Sequence, residues 1–224
     1  QMKLLTLGCS FTYGDELDDR MTQSWPSQLC KENGWDLVNL AKSGGSNDRI
    51  IRTLLKEIDK EYDIIIIAWT YIERFMIKDG DIGQGWNGEG ITTSAGPKWN
   101  NEPNFSWAVN YFKYAQDLDF DYQKYLQNVV LIQEFLKSRN QKYLFVNTFD
   151  MWTDLYPNAQ ARIARNSHLV DQIDQDYFLG WPTEGILTWQ GDCPKGPGGH
   201  PLELGHQRIA ETINEHIRNI GWVS

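Results

Sequence analysis

Cysteine is scarce and scattered: Cys9, Cys30 and Cys193 are the only three in 224 residues. An odd number with no Cys-x-x-Cys pair supports neither a disulfide framework nor a redox couple, and a reducing compartment is the default. No apolar run approaches the length needed to cross a bilayer, and no basic segment followed by an apolar stretch opens the chain. The expectation is a cytoplasmic protein with no membrane partner. Basic residues are in deficit as well, 21 Lys and Arg against 30 Asp and Glu, for a net charge of -9. The field of such a chain repels a phosphate backbone, so nucleic acid is a poor partner. Internal repeats and low-complexity linkers are missing too. One domain over residues 1–224 is therefore expected, long enough to bury a core without staples.

Aromatic residues, by contrast, abound, with 10 Trp, 10 Tyr and 9 Phe. Indole N–H groups want polar partners, so this is more than core filling requires. From about residue 78 to 120 the periodicity dissolves into Gly, Asn, Trp and Pro, longer than an ordinary connection and typical of a functional insertion. Trp86, Trp99, Trp107, Tyr111, Phe112 and Tyr114 lie in or near it. They either pin the insertion to the body or stack on a flat or sugar-like ligand.

Outside that stretch, strands alternate with helices. Lys3–Leu7, Trp35–Leu40, Asp63–Trp69 and Lys142–Thr148 read as strands, the third apolar on both faces and therefore central in a parallel sheet. Trp25–Asn33 is a helix with Pro26 in its first turn and an Asn-Gly stop. Ile50, Ile51, Leu54, Leu55 and Ile58 form one stripe of a helix that Ser46 or Asn47 can cap. Tyr122–Ser138, Asn158–Asp176 and Leu202–Ile220 read as further helices, and 178–189 as irregular. This series predicts an α/β fold, a three-layer α/β/α sandwich around a parallel sheet, with ligands at the carboxyl ends of the strands. The turns at Ser10, Gly44 and Thr70 all follow strand ends and should meet there.

The first of these turns carries the chemistry. Leu4 to Leu7 is an apolar strand that breaks at Gly8-Cys9-Ser10, a way to hold one hydroxyl at a sheet edge as a nucleophile. The pattern is not Gly-x-Ser-x-Gly, because Thr12 stands two after the serine. The following Asp15-Glu16-Leu17-Asp18-Asp19 reads as a solvated acidic patch. Near the other end, 191–199 can only be loop, and it delivers His200. His206 falls on the inward face of the last helix and reads as structural. Cys193, His200 and His206 match no common zinc spacing, and Asp117, Asp119 and Asp121 lack the glycine and terminal glutamate of a calcium loop. No metal or cofactor is implied. A nucleotide-binding reading is weakened by a Ser10 turn poor in glycine and by the few basic groups.

Together these segments resemble the SGNH (GDSL-type) hydrolases. Gly8-Cys9-Ser10-Phe11-Thr12-Tyr13-Gly14 looks like that family's first block, with Cys9 where aspartate is usual; Ser43-Gly44-Gly45-Ser46-Asn47 looks like the second, and Gly199-His200-Pro201-Leu202 the last. The resemblance implies a flavodoxin-like fold and a serine esterase with Ser10 as nucleophile and His200 as base. The backbone N–H groups of Ser10 and Gly44 would hold the oxyanion. Two positions depart from the pattern. Trp69-Thr70-Tyr71 stands where the family offers an asparagine, leaving Asn47, Thr70 or Arg74 as substitutes, and Thr70 and Arg74 as substrate contacts, with a salt bridge to the acidic surface as the plainer role for Arg74. Pro197 stands where the family has the aspartate that orients the histidine, leaving Asp192 or a backbone carbonyl for that task. The implied substrate is a small-molecule or glycan ester, with the aromatic insertion pointing to an acyl group on a carbohydrate. The competing reading is a binding protein that keeps the scaffold without hydrolysis.

Overall fold

The six residues Ile64–Trp69 carry no charged side chain to either face, and all six are buried in the computed structural model of the chain. The structure describes residues 1–77, 91–93, 110–111, 113–150 and 158–223. In chain order the described elements are β1 (Lys3–Leu7), α1 (Ser10–Tyr13), α2 (Arg20–Gln23), α3 (Trp25–Asn33), β2 (Asp36–Asn39), α4 (Asn47–Glu57), β3 (Ile64–Trp69), β4 (Phe75–Ile77) and β5 (Ile91–Thr93). There follow α5 (Leu118–Ser138), β6 (Lys142–Asn147), α6 (Ala159–Arg165), α7 (Ser167–Val170), a 3-10 turn (Gln175–Tyr177), β7 (Phe178–Leu179), α8 (Ile186–Trp189) and α9 (Glu203–Asn219).

The main sheet runs β2-β1-β3-β6-β7, with every described pair parallel, while β4 and β5 form a small antiparallel ribbon. Successive side chains of a strand point to opposite faces, and the core divides accordingly. Ile65, Ile67 and Trp69 join Ile50 and Leu54 of α4 and Tyr122, Tyr125 and Val129 of α5. Ile64, Ile66 and Ala68 join Trp25 and Leu29 of α3 and Ile209, Ile213 and Ile217 of α9. The result is a three-layer α/β/α sandwich with the flavodoxin-like strand order. The chain leaves β1 toward β2 and returns on its other side as β3, so a crevice opens between the carboxyl ends of β1 and β3.

Most expected elements form, and the differences have local causes. Ser46 caps α4 by accepting from the Arg49 N–H at 3.2 Å. The helix expected from Tyr122 starts at Leu118, because the Asp117 side chain accepts from the backbone N–H groups of Asp119 and Phe120. The three alternating aspartates have separate duties: Asp117 caps, Asp119 pairs with Arg162 and Arg165, and Asp121 accepts from Gln116. The helix expected over 158–176 breaks at Asn166 into α6 and α7, the Asn166 amide donating back to the Arg162 carbonyl. The stretch expected to be irregular supplies β7, the short fifth strand, and α8. Of the aromatic insertion, Trp86, Trp99, Trp107 and Phe112 lie outside the described residues.

Candidate active site

β1 ends at Leu7, and after Gly8 and Cys9 the chain enters the single helical turn α1, which stops at Gly14 in the left-handed conformation. Ser10 is its first residue and is buried. Its hydroxyl has no hydrogen-bond partner among the described residues, and neither does its backbone N–H. The second turn is stitched to the first: Lys42 N–H donates to the Gly8 carbonyl at 3.1 Å, and the Ser43 hydroxyl to the Asp15 carboxylate. Gly44, at φ +69°, occupies the left-handed region that favours glycine, and its N–H likewise has no acceptor among the described residues. The third turn joins them through Asn47 and Arg74, so the three turns meet at the β1/β3 crevice.

The histidine arrives from the far end of the chain. The 195–201 loop closes on itself through a bridge between Lys195 and Pro201 and a bond from Gly196 N–H to the His200 carbonyl at 2.9 Å. The imidazole lies 4.9 Å, centroid to centroid, from the ring of Phe11, the residue after Ser10. Its Nδ1 sits 2.8 Å from Oε2 of Glu16. That carboxylate also accepts from the backbone N–H of Gly198 at 2.6 Å and of His200 at 3.0 Å. A Cβ at Gly196 would stand 2.6 Å from the carboxylate carbon, and one at Gly198 3.0 Å from its oxygen, so the glycines let the loop wrap the anion. Glu16 reaches it from a left-handed backbone conformation, φ +67°. The bond from Gly198, then that from His200, hold the Glu16 carboxyl below the usual glutamate range. The clasp is thus complete above the ordinary glutamate range and is lost only as pH falls through the lowered value.

Several sequence expectations need correction here. Asp192 does not approach the imidazole: its side chain is 94% exposed and pairs with Arg208 at 3.0 Å, because the loop buries Cys193 and turns its neighbour outward. Asn47 is committed to the scaffold, its Oδ1 accepting from Thr70 N–H at 2.9 Å and its Nδ2 donating to the Thr70 carbonyl at 3.2 Å. Thr70 is wholly buried, with its hydroxyl accepting from Arg74 at 3.2 Å, so it offers a ligand nothing. Glu16, which the sequence presents as one acid of a solvated patch, is instead bonded to the His200 ring and to the loop before it. The available signal was the Gly-Pro-Gly-Gly run before His200, since glycines spaced that closely leave backbone N–H groups free to wrap an anion.

His206, expected to be structural, is fully buried and accepts from the Trp25 N–H at 3.0 Å through Nδ1. Desolvation first, and the neighbouring His200 second, push its pKa down to about 4. The unfolded chain takes up that proton near pH 6.5 and the folded chain does not, so stability is full above 6.5 and declines as pH falls toward 4. The expected loss is up to about 3 kcal/mol over that interval. Urea unfolding at pH 7 and pH 4.5 checks it, the pH slope shrinking in His206→Asn, which keeps an acceptor for Trp25.

A family of unknown function (DUF6071) matches residues 14–224, a span that takes in Glu16 and His200 and starts four residues after Ser10. A search of curated proteins found no match. Among solved structures, the chain is similar to the psychrotrophic esterase EstA from Pseudoalteromonas sp., with TM-score 0.56, 12% identity and 98% of each chain covered. It is similar to a member of the lipolytic protein G-D-S-L family from Veillonella parvula, with TM-score 0.52, 13% identity, and 96% and 97% covered. A family two carbohydrate esterase from Clostridium thermocellum, in complex with cellohexaose, aligns at TM-score 0.55 and 15% identity over all of this chain and 66% of that one. The fold is that of the SGNH hydrolases.

Proposed function

We propose that this chain, which belongs to the family of unknown function DUF6071, is a serine hydrolase that cleaves a carboxylic ester with Ser10, His200 and Glu16. The observation that carries the reading is the Glu16 carboxylate on Nδ1 of His200, with both held beside the Ser10 turn. A carboxylate at Nδ1 fixes the proton there and leaves the Nε2 lone pair free to act as base. Ser10 Oγ attacks the ester carbonyl carbon, its proton passes to His200 Nε2, and the carbonyl π pair becomes an oxyanion facing the N–H groups of Ser10 and Gly44. Collapse of the adduct breaks the bond to the alcohol, which leaves with the proton from Nε2. Water then repeats the sequence on the acyl-serine and releases the acid.

The finer reading is an O-acyl group on a carbohydrate. Support comes from the aromatic-rich sequence and from a neighbouring fold whose structure holds cellohexaose. Treatment with a fluorophosphonate followed by peptide mass spectrometry tests the hydrolase. An adduct on Ser10 that diminishes when His200 is replaced by alanine is the expected result. A folded protein with no adduct that still binds glycans overturns it in favour of the non-catalytic alternative.

A further inference from the structure

We infer that Arg74 is a third oxyanion donor, a guanidinium that supplies positive charge at the crevice between β1 and β3; the inference rests on the serine-hydrolase reading. Three observations place it there. Its Nη1 donates to the Gly45 carbonyl at 3.3 Å, one residue from the Gly44 N–H, and to the Thr70 hydroxyl at 3.2 Å, at the end of β3. Its guanidinium carbon lies 4.8 Å from the centre of the Tyr71 ring, which is itself stacked on Phe149 at 3.6 Å. Among the described residues, Nε and Nη2 have no acceptor and no carboxylate pairs with the group.

A surface ion-pair role would leave this guanidinium against an acid, in a chain with 30 of them. Instead one nitrogen is spent on two neutral acceptors that fix its position, and among the described residues the rest of the fork has no acceptor. That is what stabilising a developing charge demands: donors held in place before the reaction, so that no reorganisation is needed when the carbonyl oxygen becomes anionic. The Asn47 amide is bound to the Thr70 backbone, and Thr70 is buried with its hydroxyl taken up by Arg74, so neither side chain can serve. Gly45 also lies close to the first turn, since a Cβ placed on it would stand 3.2 Å from the Gly8 carbonyl oxygen. The anchor of the guanidinium and the serine turn are therefore one packed unit.

p-Nitrophenyl acetate tests this because it carries no charge beyond the one that forms during attack. With active sites counted by fluorophosphonate titration, Arg74→Ala should lower kcat on the order of 100-fold while KM changes less than about threefold. Arg74→Lys should recover part of the loss, and added guanidinium chloride should raise kcat of the alanine variant and leave wild type unchanged. Arg74→Gln, which removes the charge while keeping a polar side chain, separates charge from folding: it should melt near wild type and remain slow. An alanine variant whose kcat per titrated site equals that of wild type overturns the inference, as does a loss confined to KM, which would make Arg74 a substrate clamp. A wild-type chain that neither reacts with the phosphonate nor turns over the ester overturns the hydrolase reading and this inference together.

Discussion

Ser10→Ala should cut turnover of p-nitrophenyl acetate by roughly 10⁴-fold or more and abolish phosphonate labelling, with the melting temperature nearly unchanged. Without the hydroxyl, no acyl-enzyme can form, and what remains is the acceleration that the oxyanion donors and binding give to attack by water. Stability is expected to hold because the Ser10 hydroxyl makes no hydrogen bond among the described residues, so its removal strands no partner. Turnover left within tenfold of wild type would show that the nucleophile lies elsewhere.

The second large effect concerns Glu16. Glu16→Gln is expected to lower kcat by roughly 10²- to 10⁴-fold, because an amide can turn N–H toward Nδ1 and favour the tautomer whose proton sits on Nε2, where the serine proton must go. Asp192→Asn should change kcat less than twofold, since that carboxylate is solvated and bonded to Arg208. Measuring both variants across pH 5 to 9 with active-site titration decides between them. The reverse pattern would restore Asp192 to the role that the sequence suggested for it. Glu16→Gln also disturbs the bonds to Gly198 and His200 N–H, so proteolysis within 195–200 should accelerate in parallel with the kinetic loss.

How far the molecule can be read from its sequence depends on the range of the forces involved. Local patterns were sufficient for β3, where an unbroken apolar run leaves only a central strand, and for α3 and α9, whose stripes face the same layer of core. They failed at α5, whose start depends on one cap at Asp117, and at β7, two residues long and defined only by pairing with Phe145 and Val146. Ser10 and His200 were conspicuous in the sequence because their local blocks are distinctive. Glu16 was not, since its partner stands 184 positions away and nothing in the neighbouring acids distinguishes it from Asp18 or Asp19. Asp192 was the natural candidate by proximity in sequence, and it failed because the intervening loop turns that residue to solvent. Arg74 and Thr70 both stood as substrate contacts on paper, Arg74 with a surface salt bridge as its plainer role. Burial separates them, Thr70 being consumed as an acceptor for the arginine.

The carboxylate that steadies the imidazole comes from the same turn that presents the serine. Asp15 N–H and Gly14 N–H both donate to the Ser10 carbonyl, and Glu16 follows directly. The Ser10 hydroxyl and the His200 ring are consequently gauged from one origin: a tilt of that turn carries the hydroxyl and, through Glu16, draws the imidazole after it. Drift among homologues in the segment before His200 should therefore be tolerated so long as its glycines survive, whereas one residue inserted between Ser10 and Glu16 would put the whole relay out of step.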